Sequence, residues 1–105
     1  MRWYKELFLG TGAEKSRHQI VENIKSNKPQ FNVFVITLPS NENNLLDIFH
    51  STILLQPYYK NKEYFIVGLA KGYEEALEVM TKIVMDNYYE TGGFRVKEYL
   101  KSKIS

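Results

Sequence analysis

The sequence predicts an α+β domain, a small three-stranded mixed sheet with helices packed on it in two or three layers. Three observations predict it. Phe31 to Leu38 is β-branched and aromatic with apolar residues on both alternating faces, the pattern of a strand covered on both sides. Tyr64 to Ala70 is a second such run, closed by Gly68 and Gly72 around a turn. After it, Tyr73, Ala76, Leu77, Met80, Ile83, Val84 and Tyr88 recur at three- and four-residue steps, which puts one apolar stripe on a helix facing the sheet.

The remaining elements follow from local chemistry. Trp3, Leu7 and Phe8 fit one side of a short helix closed by Gly10, and a strand from Trp3 to Leu9 competes with it. Thr11, Gly12, Ala13 and Glu14 match a capping box, so a helix is expected from near Gly12, carrying Ile20, Val21 and Ile24 inward and stopping at Pro29. Pro39 ends the first strand and the polar cluster Ser40 to Asn44 turns the chain. Leu45 to His50 then returns beside it as a strand, in competition with a helix over residues 44–56. Ser51 is expected to cap a short helix closed by Pro57, with Tyr58 to Lys62 in a loop. Glu74 and Glu75 suit the first turn of the long helix, and Gly92 and Gly93 its exit. Phe94 to Ile104 reads as a last short helix.

With 105 residues, 44% hydrophobic and 25% charged, the chain is long and apolar enough to fold as one domain over residues 1–105. The absence of cysteine excludes disulfides, a thiol nucleophile and thiolate metal sites, and fits a reducing compartment. No apolar run approaches the ~20 residues of a membrane span, so a cytoplasmic location without membrane contact is expected. Net charge is +2. It is uneven: both chain ends are mildly basic, whereas residues 73–90 hold five acidic residues and one basic.

Every cluster that resembles a site has a structural competitor. Gly10 to Ser16 imitates a phosphate loop, but Ala13 and Glu14 separate the last Gly from Lys15, so the spacing fails. The turn Gly68 to Gly72 precedes a helix, where free amides hold anions, yet Glu74 and Glu75 oppose a phosphate there. Asp47, His50 and Ser51 combine a carboxylate, a base and a hydroxyl. On a strand, however, Asp47 and His50 point to opposite faces. Glu14, His18 and Glu22, at four-residue steps, can share one exposed helix face and read as a solvated charge cluster rather than a metal site. Lys15, Arg17, Lys25, Lys28, Arg95, Lys97, Lys101 and Lys103 would make a nucleic-acid surface only if the two chain ends converge, and Glu14, Glu22 and Glu98 interrupt them.

Trp3 to Leu7, Leu45 to Ile48, Val67 to Leu77 and Glu90 to Phe94 together resemble a family of short uncharacterised bacterial proteins. That resemblance covers nearly the whole chain. It implies a bacterial single-domain protein and carries no activity, cofactor or catalytic residue.

The reading favoured by the sequence is a non-enzymatic domain, without cofactor or metal, that contacts an unknown protein partner or forms a homodimer. The adjacent pairs Tyr58–Tyr59 and Tyr88–Tyr89 can each place only one ring in a core, which leaves Tyr58, Tyr59 and Tyr89 as interface candidates. A small-molecule or enzyme site built on His50, Lys71 and Gly72 at the 68–72 turn is the alternative. Weak nucleic-acid binding ranks below both.

Overall fold

The computed structural model describes residues 2–39, 45–57 and 63–102. Its elements are β1 (Arg2–Leu9), α1 (Thr11–Glu14), α2 (Arg17–Lys25), β2 (Val33–Thr37), β3 (Asp47–His50), a 3-10 helix (Ser51–Leu55), β4 (Phe65–Lys71), α3 (Tyr73–Thr91) and α4 (Val96–Ser102). The strands form one sheet in the order β1, β4, β2, β3, with β1 parallel to β4 and the other pairings antiparallel. The α+β class with a helix-covered mixed sheet is therefore the observed one. The sheet has four strands rather than three, because the chain start is a strand and not a short helix.

The hidden strand has a physical explanation. Between Trp3 and Phe8, β1 takes five residue steps while β4 takes two, from Ile66 to Gly68. This bulge leaves Lys5 and Glu6 exposed and spaces the apolar residues as Trp3/Leu7 and Tyr4/Phe8, four apart, which is also a helical spacing.

Helices cover both faces of the sheet. On one face Ala13 of α1 and Ile20 and Ile24 of α2 pack over Val33, Val35, Ile66 and Leu69. On the other, Ala76, Val79 and Ile83 of α3, with Val96 and Leu100 of α4, pack over Ile36, Val67 and Ala70. Each fully buried Ile, Leu or Val stabilises the fold by about 1.5–3 kcal/mol, so the two interlayer cores are the main source of stability. The radius of gyration, 13.1 Å, is that of one compact body of this length. Among the described residues, no helix is long and apolar enough to cross a membrane.

A second irregularity sits at the centre. β2 pairs Ile36 with Gly68 and Thr37 with Ile66, so β4 bulges at Val67. A Cβ on Gly68 would lie 3.1 Å from Val79 and 3.1 Å from the carbonyl oxygen of Phe8. Glycine there lets α3 lie close against the sheet where β4 turns two successive residues toward it.

Several element ends differ from expectation, β2 among them: it starts at Val33, with Phe31 96% exposed and Asn32 left-handed (φ 58°) before it. The capping box is not formed: α1 begins at Thr11 behind Gly10, with no side-chain cap from its own turn. The helix expected to run on to Pro29 is broken at Lys15–Ser16 into α1 and α2, and α2 ends at Lys25 because Asn27 turns left-handed (φ 57°) two residues before the proline. Gln30 then ties the loop back by donating to the Ile20 carbonyl at 3.2 Å. The exit from α3 is as predicted, with Gly92 at φ 75° and its N–H on the Tyr88 carbonyl at 2.7 Å.

The stripe of α3 faces the sheet but is turned by about one residue. Its buried positions are Ala76, Val79, Ile83 and Asn87, while Tyr73, Leu77 and Tyr88 are exposed. Asn87 lies in a position the periodicity reserves for an apolar side chain. Its amide donates to the Gly93 carbonyl at 2.6 Å, so the buried polar group is satisfied by the chain that leaves the helix.

Candidate functional site

Strands β1, β4 and β3 all run in the same direction, so Gly10, Lys71 and His50 emerge at one end of the sheet. Two loops that read separately as phosphate-loop imitations, Gly10–Ser16 and Gly68–Gly72, meet there. The anion between them belongs to the chain. The Glu75 carboxylate accepts the Gly12 N–H at 2.7 Å and the Lys71 N–H at 2.5 Å, acting as the cap that Thr11 does not provide. A Cβ on Gly10 would collide with that carboxylate, so this glycine is needed for close approach. The Lys71 ammonium reaches the Ser16 hydroxyl at 3.3 Å, which spans the two loops. Gly72 places its N–H on the Asn32 carbonyl at 2.7 Å.

His50 stands at the same end, two strands away across Phe34, which pairs with both His50 and Ala70. Its Nδ1 accepts the Thr52 N–H at 3.2 Å and lies 2.7 Å from the Thr52 hydroxyl, so the imidazole itself caps the 3-10 helix. That is the role expected of Ser51, whose hydroxyl is instead buried without a partner among the described residues. The Phe34 ring sits edge-on to both His50 and Tyr73, at 5.1 and 5.8 Å between centroids. Asp47 pairs with Thr37 at the far end of β3, so His50 and Lys71 share an end of the sheet from which Asp47 is absent.

The other charged clusters are dispersed. Because α1 ends at Glu14, that carboxylate is not on the helix of His18 and Glu22, and the three do not share a face. Among the described residues, no group of three or more His, Cys, Asp or Glu side chains is placed to hold a metal ion. Arg17 and Lys25 lie on the α2 side of the sheet and Arg95 and Lys97 on the α4 side, so the basic chain ends do not converge. Arg95 is paired with Glu98 at 3.6 Å.

Two surface features stand out among the described residues. The first lies along the outer flank of α3. Tyr73, Leu77 and Met80 form a groove with Leu46 and Ile48 beside edge strand β3, and Asp47 also lines it. Val84 and Tyr88 continue the flank. Tyr88 stacks on Phe94 at 5.2 Å and meets Tyr89 edge-on at 6.1 Å. Neither tyrosine of this pair enters the core: Tyr88 is 42% exposed and Tyr89 76%. Tyr58 and Tyr59 lie outside the described residues. The second feature is a groove between β1 and α2 floored by Trp3, Leu7 and Val21, where the Lys25 ammonium sits 5.9 Å from the Trp3 ring centroid.

Sequence reasoning missed Glu75 as a cap, since its partner Gly12 lies 63 residues away and no local pattern signals it. It also missed the Trp3 groove, although Arg17, Val21 and Lys25 at four-residue steps define the α2 face that lines it. No family model, curated protein or solved structure matches the chain, so its function rests on its own residues.

Proposed function

We propose that the chain is a non-catalytic domain that self-associates, two copies joining through the outer flank of α3. The observation carrying this is the flank itself: positions 73, 77, 80, 84 and 88 are Tyr, Leu, Met, Val and Tyr, a helix-long strip without a charged residue. Tyr73 and Phe94 are each 54% exposed, and Leu77, Tyr88 and Tyr89 extend the surface they begin. With about 150–250 Å² per aromatic side chain, these exposed fractions add to roughly 500 Å² of apolar surface. A standard interface buries about 800 Å² per partner, a little over half of it apolar, so the patch matches what one side of a dimer requires.

Charge favours a second copy as the occupant. A two-fold interface sets each surface against itself, which a charge-free strip tolerates and a one-sign strip does not. Antiparallel α3 helices would also place exposed Glu74 and Glu78 at the start of one helix near Arg95 and Lys97 beyond the end of the other.

Sedimentation velocity over a concentration series tests the proposal. The expected result is a dimer in the micromolar range or below, abolished by Leu77→Lys with Tyr88→Lys. Both positions are exposed, so each monomer of the variant keeps its fold, as circular dichroism checks. A monomer at every concentration, or a dimer that survives the double substitution, overturns it.

A further inference from the structure

We propose that the groove between β1 and α2 binds a ribonucleoside monophosphate. The groove is a solvent-open cleft of about 330 Å³, within the lower range of small-molecule sites. Its floor is apolar and includes the half-buried Trp3, and its rim carries Arg17, His18, Glu22 and Lys25, all from α2. No hydrogen bond or ion pair among the described residues engages the side chains of Arg17, His18 or Glu22, so all three are available to a ligand.

The combination selects the ligand chemistry. The Trp3 face already attracts a cation, the Lys25 ammonium, and would exchange it for a stacked planar ring. Arg17 stands eight residues before Lys25, about 12 Å along the helix, which is near the span from base to phosphate in a mononucleotide. At that end Arg17 offers a planar fork to phosphate oxygens, with His18 beside it. Glu22 lies between the two ends. Its carboxylate repels a bare phosphate and, lying between base and phosphate, accepts hydrogen bonds from the ribose hydroxyls. A free inorganic anion would leave Trp3 unused and face Glu22, whereas an uncharged aromatic would leave Arg17 unused. A ribonucleotide engages all of them.

The chain has a single tryptophan, so fluorescence reports on this groove directly. Titration of the full chain with adenosine 5′-monophosphate is expected to quench Trp3 saturably, in the millimolar range or tighter. 2′-Deoxyadenosine 5′-monophosphate, which lacks one of those hydroxyls, should bind about tenfold more weakly, and Glu22→Gln should narrow that gap. Arg17→Gln should weaken the nucleotide about tenfold and leave adenosine unchanged. Folding of both variants is checked by circular dichroism. The proposal is overturned by an absence of saturable quenching in the folded protein. It is equally overturned by quenching that inorganic phosphate reproduces, by equal affinity for the ribo- and deoxyribonucleotide, or by binding of an adenine oligonucleotide without binding of the monomer.

Discussion

Replacing Glu75 by alanine should cost more than any other exposed or half-exposed position on α3, because its carboxylate holds two backbone amides of distant segments. A hydrogen bond to a charged acceptor contributes roughly 1.5–3 kcal/mol. The Gly12 bond is part-buried and dominates, whereas Lys71 is exposed and water replaces the lost acceptor there. The expected net loss is about 2 kcal/mol. For a domain of this size that corresponds to a fall in Tm of about 8–15 °C. Urea unfolding should show a lower midpoint with an unchanged slope, since the surface exposed on unfolding is the same. Glu75→Gln keeps one acceptor without the charge and should lose about half as much. Gly10→Ala drives a methyl group into the carboxylate and should be destabilising alone, yet within about 0.5 kcal/mol of neutral once Glu75 is alanine. If Glu75→Ala leaves the midpoint unchanged, or if the two substitutions add without coupling, the cap is not what holds these loops together.

Two further substitutions probe buried polar groups. The Thr37 hydroxyl is fully buried without a partner among the described residues, so Thr37→Val should raise stability by about 1 kcal/mol, read as a higher urea midpoint; a loss would show that the hydroxyl is paired. His50→Asn retains an acceptor at the start of the 3-10 helix and should be nearly neutral, whereas His50→Leu should cost about 1 kcal/mol; equal losses in the same measurement would remove the capping role.

What the sequence reveals here is what repeats at short range. β2 and β4 are legible because Val33 to Ile36 and Phe65 to Ala70 are apolar on both faces, as their position between helix layers demands, although Phe31 falls outside β2 and is exposed. The existence, extent and exit of α3 are legible for the same reason. Its rotation is not, because Asn87 takes an inward position by virtue of a bond to Gly93, and Tyr88 is displaced to the surface although its spacing fits the stripe equally well. β1 escaped because an edge strand with Lys5 and Glu6 in a bulge keeps no alternation to read. The candidate residues His50, Lys71 and Gly72 do gather at one end of the sheet, a consequence of strand direction that no motif encodes. Glu75, which closes that end, is legible only as a helix-start carboxylate; the amides it serves belong to a loop near the other terminus.

The parallel pairing of β1 with β4 also sets an order of events during synthesis. Arg2 leaves the ribosome 63 residues ahead of Phe65, its neighbour in the finished ladder. At ordinary translation speeds β1 waits roughly 3–13 s for its template, with Tyr4 and Phe8 uncovered until the α3 side forms. Charged Lys5 and Glu6 in the middle of that strand interrupt an otherwise adhesive segment for as long as it travels alone, so the irregularity that blurs the strand in the folded molecule also guards the newborn chain.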